Sequence, residues 1–291
     1  MKFAVSSYSF AQYTWSGKLT VFSCIEKAKE MGFDAIEFTE FEGPDGETPL
    51  EYAKKLCAEA DRVGIEISNY AVGADFLNGS GGNLEAEVNR VKGLVDIAAV
   101  LGCPTMRHDV TGGPANRTYQ GYDNCVERLA EGCRAVTEYA AQKGIKTMTE
   151  NHGLFSQDSL RVEKLINTVA NDNFGQLVDL GNFLCADDDP ATAVGRCAPY
   201  AFYVHAKDFI VKSGQGANPG AGFFQSRSGN FLRGTVVGHG AVPVLQCLRA
   251  LKGAGYDGYL SIEFEGMEDC IQGISIGLEN LKRYVAEVYG C

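Results

Sequence analysis

Short runs of β-branched and aromatic residues alternate along this chain with longer segments whose apolar residues recur at helical spacing. Such alternation predicts repeated strand–helix units and a parallel sheet. The expected strands are 3–10, 35–39, 65–70, 105–110, 146–152, 176–182, 202–208 and 259–264. The spacing predicts helices over 20–31, 50–63, 84–101, 122–142, 157–170, 190–197, 242–252 and 270–288. Gly32, Gly64, Gly102 and Gly144 stand at the ends of four of these helices, where a left-handed C-cap favours glycine. Eight strands in strict alternation with eight helices predict an α/β fold, a closed (β/α)8 TIM barrel rather than an open sheet.

One segment breaks the rhythm. Residues 212–234 are rich in Gly, Ser, Asn and Gln and fit neither a helix nor a strand. The expectation is a single domain, 1–291, with an inserted loop at 212–234 after the seventh strand. Loops that follow barrel strands gather on the C-terminal face where active sites are built, so a lid or specificity loop is expected over a bland surface excursion.

Four strand ends carry residues that do not belong in an apolar sheet. The fifth strand ends at Glu150, the sixth runs into Asp179, the seventh contains His205 and the eighth ends at Glu263. A buried carboxylate costs several kcal/mol unless it is paired or bound to a cation. A lone strand-end acid is commonly a cap or an ion-pair partner. Four on consecutive strands are explained together by one shared divalent metal ion. Three carboxylates and an imidazole suit Mn²⁺, Mg²⁺ or Co²⁺, admit Zn²⁺, and lack the soft ligands that copper prefers.

Composition narrows the partners. The formal charge is −11, and the basic residues are scattered rather than striped, which points away from nucleic acid. No stretch approaches the ~18 consecutive apolar residues of a membrane span, and the apolar run at 1–10 is too short for a signal peptide. The ten cysteines contain no C-x-x-C pair and several sit at apolar helical positions, as reduced buried thiols do. The expected setting is cytoplasmic, the expected partner a small sugar-like molecule, with a homo-oligomer left open.

The segments TENHG, VDLGN, VHAKD and LSIEFEG resemble the strand ends of the sugar phosphate isomerase/epimerase family of xylose isomerase-like barrels, and the likeness covers nearly the whole chain. That resemblance implies a metal-dependent isomerase or epimerase of a small keto sugar or polyol-derived ketone. Mn²⁺ is the foremost metal, Glu150 and Glu263 exchange the proton, and Asp179 and His205 complete the ligand set. The chemistry has a physical reason. A proton α to a ketone is too weakly acidic for a carboxylate unless the enediolate oxygen is stabilised, and a divalent cation supplies that stabilisation. Carboxylates on opposite faces of the carbon then remove the proton from one side and return it from the other.

Other residues compete for roles. Lys207, two residues past His205, shares its face and is placed to bind substrate, while Asp208 points the other way and reads as structural. Glu265 shares a face with Glu263, and the family pattern favours Glu263 as ligand. Arg107, His108 and His152 are either substrate contacts or satisfied core groups. His239, where many relatives carry an acid, marks a different substrate or an acid/base role. The endonuclease branch of the resemblance is set aside, because the chain has four histidines in all and Asn182 where a further one is wanted. Two alternatives remain: a lyase or dehydratase acting on a keto sugar or keto-glycoside, and a non-catalytic sugar-binding barrel.

Overall fold

In the computed structural model the chain is described over residues 1–114 and 121–290. Strands β1 (Lys2–Ser6), β2 (Ala35–Thr39), β3 (Glu66–Val72), β4 (Thr105–His108), β5 (Lys146–Glu150), β6 (Phe174–Asp179) and β7 (Ala201–Ala206) pair in parallel and in order. Three further strands, β8 (Asp208–Lys212), β9 (Phe224–Gln225) and β10 (Phe231–Thr235), lie outside this sheet. The last strand, β11 (Tyr259–Ile262), pairs with β7 on one side and β1 on the other, which closes an eight-stranded barrel.

Eight helices wrap it: α1 (Ser23–Glu30), α2 (Pro49–Val63), α3 (Leu84–Leu101), α4 (Val126–Ala141), α5 (Ser159–Val169), α6 (Pro190–Cys197), α7 (Val244–Gly253) and α8 (Cys270–Tyr289). The local chemistry of α2 shows why the boundaries were readable. Thr48 and Glu51 form a reciprocal capping box, Pro49 takes the first turn, and Gly64 ends the helix in the left-handed region at φ 70°. Its buried residues, Tyr52, Ala53, Leu56 and Ala60, repeat at helical spacing and face the sheet. No helix among the described residues is long and apolar enough to cross a membrane.

Strand alternation sorts side chains into two cores. Outward residues such as Ile36, Met106, Val178 and Val204 join the large cluster between sheet and helices. Inward residues Ala4, Ala35, Met148, Leu177 and Tyr203 form a smaller cluster that fills the lower barrel. Two residues further along the same strands, the inward positions are Glu37, Glu150, Asp179 and His205, so the barrel is apolar below and polar at its C-terminal mouth.

The inserted segment differs from the expectation. It is not wholly irregular, since β10 pairs antiparallel with both β8 and β9 to make a three-stranded sheet. β9 is only two residues long and Gly-rich stretches surround these strands, so alternation was too short to register. The first strand is shorter than expected for a local reason. The Ser6 side chain accepts a hydrogen bond from Tyr8 N and turns Ser7–Phe10 into a 3-10 helix.

Candidate metal centre

Glu150 ends β5, Asp179 ends β6, His205 lies in β7, and Glu263 follows β11. Sheet register brings them level: Asp179 stands beside His205, and Ser261, two residues before Glu263, stands on the other side of His205. One ligand atom from each of the four lies within 4.8 Å of the others. All four are buried, Glu263 being the most accessible at 9%.

Two of these atoms have no hydrogen-bond partner, His205 Nδ1 and Asp179 Oδ2. Nδ1 is 3.6 Å from Asp179 Oδ2, 3.6 Å from Glu263 Oε2 and 3.9 Å from Glu150 Oε1, all too long for hydrogen bonds. On its other side His205 Nε2 meets Glu37 Oε1 at 2.9 Å. Donation to Glu37 keeps a proton on Nε2 and aims Nδ1 at the carboxylates, so a cation that took the place of the Nδ1 proton would meet that nitrogen's lone pair. Burial opposes charging of the ring, but Glu37 and then Glu263 outweigh it and hold the His205 pKa well above its usual value. The same concentrated negative field that attracts a proton attracts a cation. Two buried atoms without hydrogen bonds and an O₃N set therefore fit a divalent ion, which Glu150, Asp179, His205 and Glu263 could hold.

The remaining carboxylate oxygens are aimed by neighbours. Asp179 Oδ1 accepts from Gly181 N at 2.8 Å and Asn182 N at 2.7 Å. Glu150 Oε1 accepts from Asn182 Nδ2 at 2.9 Å, and Oε2 from Arg107 Nε at 2.6 Å. Lys207 Nζ pairs with Glu263 and lies 3.4 Å from both Asp179 Oδ2 and Glu265 Oε1. Burial disfavours the ammonium, yet Asp179, Glu263 and Glu265 together push its pKa well above the ordinary one. The cluster adjoins a cavity of about 230 Å³ lined by His152, Asn182, Lys207 and Glu265, with Phe224 and Gln225 of β9 forming the far wall. A larger cavity of about 480 Å³ sits at the opposite end of the barrel, by the first residues of β4, β5 and β7, so size alone does not mark the site.

The structure thus gathers Glu150, Asp179, His205, Glu263, Lys207, Arg107 and His152 at one mouth. His152 is half-exposed, and its Nδ1 meets Asp109 Oδ1 at 3.0 Å. Burial opposes its protonation, but the Asp109 contact prevails and raises its pKa. Two expected site residues lie elsewhere. His239 is exposed in a turn whose neighbours Gly238 and Gly240 donate to Asp208 Oδ2, and that turn packs on Tyr284 and Asn280 of α8. It lines neither cavity at the mouth. Asp208 itself accepts four backbone N–H groups and is structural, as its parity implied.

His108 is the second displaced residue. Strand alternation puts Arg107 inside the barrel and His108 outside, between the rings of Phe76 and Phe174 at 5.6 and 5.9 Å. It is fully buried, and burial lowers its pKa from 6.5 to about 4, so the native state holds neutral imidazole. The sign follows for a depressed folded pKa. This group's stabilisation is complete above pH 6.5 and lost as pH falls toward 4, by about 3 kcal/mol in all. His108→Phe is expected to flatten that part of the acid-side decline in pH-dependent urea unfolding, and an unchanged slope would remove His108 from the account.

Glu37 is the functional residue missed in the sequence. It lies fully buried in β2, held by Asn69 Nδ2 at 3.0 Å, whose own Oδ1 accepts from Thr105 Oγ1 at 3.0 Å. A signal was present, since Glu37 interrupts the apolar run Ala35-Ile36-Phe38 as Asp179 interrupts β6.

Known proteins resemble this chain in sequence or in fold. An inosose dehydratase of Lacticaseibacillus casei is 25% identical over 142 residues, 48% of this chain and 47% of that protein, so the match spans about half of the relative's length. The solved IOLI protein with a binding zinc atom superposes with a TM-score of 0.76 at 16% identity, covering 100% of both chains. A D-tagatose 3-epimerase-like protein superposes with a TM-score of 0.72 at 21% identity, over 100% of this chain and 99% of that one. At such identities the two structures establish the fold. Residues 25–285 match the sequence pattern of the xylose isomerase-like TIM barrels, and the chain belongs to that family.

Proposed function

We propose that this barrel is a divalent-metal-dependent isomerase or epimerase of a small, unphosphorylated keto sugar or polyol-derived ketone, with Mn²⁺ as its working metal. The observation that carries the reading is the convergence of Glu150, Asp179, His205 and Glu263 with two buried atoms among them that make no hydrogen bond. A bound divalent ion supplies Lewis-acid stabilisation of the negative charge that grows on the substrate oxygen during proton loss. The chain's own residues do the rest. Glu150 and Glu263 come from β5 and from the end of β11, separated around the barrel by β6 and β7, and so approach a substrate carbon from different sides. Lys207 and His152 orient its hydroxyl groups from the cavity wall. The Lys and Arg side chains at this mouth, Arg107, Lys207 and Arg227, are each paired with carboxylates, which leaves little for a substrate phosphate.

The test is hydrogen–deuterium exchange. Incubated in D₂O with Mn²⁺ and free ketoses, the protein is expected to incorporate deuterium α to the carbonyl, visible by proton NMR, and to stop when the metal is chelated. A protein that binds Mn²⁺ yet exchanges no α-proton of any keto sugar would contradict the proposal.

A second reading is favoured by one arrangement. Arg107 already pairs with Glu150, Lys207 pairs with Glu263 and holds it in its ionised form, and His152 stands half-exposed on the wall as a separate donor. One base and a distinct acid is what β-elimination requires, as in a dehydratase or a lyase acting on a keto-glycoside. Release of water or of an aglycone, followed by product chromatography, separates this from epimerisation. Here His152 takes the donor's place that the sequence offered to His239.

A further inference from the structure

Two cavities meet at the barrel mouth, and their linings differ. The one beside the ligand cluster presents His152, Asn182 and Lys207. The other, about 290 Å³, is walled by Tyr8, Trp15, Phe264 and Phe224, with Gln12 on its edge. Phe224 and Glu265 line both, so the two chambers adjoin at that pair.

The second chamber is closed by the inserted segment lying directly on the loop that follows β11. A Cβ at Gly234 would fall 2.4 Å from Glu265 O, and one at Gly222 would fall 2.3 Å from Met267 Sδ. These glycines are what permit the approach. At its open side Trp15 is 79% exposed and Phe224 42% exposed, and Tyr8 meets Trp15 edge-on at 6.3 Å. Aromatic faces left open to water in a concave wall mark a binding surface.

Two of the polar side chains there are already committed, which leaves the Tyr8 hydroxyl, the Trp15 indole N–H and Glu265 as the polar groups of the lining. Gln12 donates to Gly266 O and Glu268 O and accepts from Cys270 N. Ser9 donates to Ile262 O and accepts from Phe264 N. A second sugar ring would bring more hydroxyl groups than these few tips can pair, whereas a flat aromatic ring matches the ring faces of Tyr8, Trp15, Phe224 and Phe264 and leaves the polar tips at the wet edge. We infer that the substrate is a keto sugar carrying an aromatic substituent, the sugar seated beside His152 and Lys207 and the ring held among Tyr8, Trp15 and Phe224. The assignment rests on the keto-sugar reading above and names its substrate class.

Trp15 is the only tryptophan in the chain, so its emission reports on this chamber directly. Phenyl β-glucoside titrated into the full-length protein is expected to change that emission saturably, and glucose to leave it unaltered. Phe224→Leu, which keeps apolar bulk without an aromatic face, is expected to weaken the phenyl glucoside response about 3–10-fold. Absence of a saturable change with phenyl glucoside, or an equal or tighter response to cellobiose, would overturn the aromatic assignment. The readout needs neither turnover nor metal. Its failure would leave the exchange result of the preceding section untouched, and a failure of exchange would leave the fluorescence result standing.

Discussion

Glu150→Gln is expected to lower metal-dependent α-proton transfer by about 10²–10⁴-fold in kcat, with KM little changed. The amide keeps the size of the side chain and one oxygen for Arg107 or Asn182, but it cannot take a proton. Folding should survive the change, because Arg107 keeps Asp109 at 3.3 Å and Val72 O at 3.2 Å. Loss of one anionic ligand also weakens the ion, so kcat must be read at saturating metal, with metal binding measured separately by calorimetry. The companion variant Glu263→Gln distinguishes the two chemical readings. If the glutamates exchange one proton across the substrate carbon, both variants stop epimer interconversion to a similar degree. If one glutamate is the base of an elimination and the other only a ligand, the two variants differ widely in kcat. A sugar-binding barrel without catalysis predicts no change in ligand binding beyond the metal effect, and no turnover to lose.

The barrel and the four-residue cluster at its mouth were legible for the same reason: strand alternation has a period of two, and a carboxylate in an apolar strand breaks it visibly. Asp179 in Leu177-Val178-Asp179 and His205 in Tyr203-Val204-His205 stand out on that criterion, and Lys207 follows from His205 by parity alone. Parity also carried information that went unused. Arg107 and His108 are adjacent in β4, so only one of them can face the mouth, and the guanidinium takes that place through Glu150 while the imidazole enters the helix-facing core. His239 lies away from the mouth for a different reason. Its position depends on how the inserted sheet returns to α7, a long-range path that ends on Asp208 and α8 and leaves no local trace in the sequence. Within the insertion, β9 is two exposed residues paired only with β10, and β10, though largely buried, contains Arg233 and Gly234 and follows a Gly- and Ser-rich stretch, so neither strand showed an alternation long enough to read.

Glu37→Gln is expected to weaken divalent metal binding by about 10–100-fold while leaving kcat at saturating metal nearly intact. Glu37 does not reach the ligand cluster. It acts through His205, whose Nε2 it holds at 2.9 Å, and that contact fixes both the ring's orientation and the tautomer that keeps Nδ1 free for the ion. A glutamine can still accept that hydrogen bond but removes the negative charge that makes the imidazole a stronger donor. Asn69 reaches Glu37 Oε2 at 3.0 Å, so Asn69→Ala, which loosens the carboxylate without neutralising it, should produce a smaller loss. Calorimetric titration with Mn²⁺ gives the affinity, and thermal melts with and without Mn²⁺ give an independent reading through the stability that a bound ion adds. A purely structural role for Glu37 predicts a lower Tm at unchanged metal affinity. A positioning role predicts the reverse: a modest change in the melt without metal, a smaller upward shift on adding it, and activity restored by raising its concentration. Equal affinity in wild type and Glu37→Gln would mean that the imidazole needs no help from β2, and that Glu37 is buried beside it for packing alone.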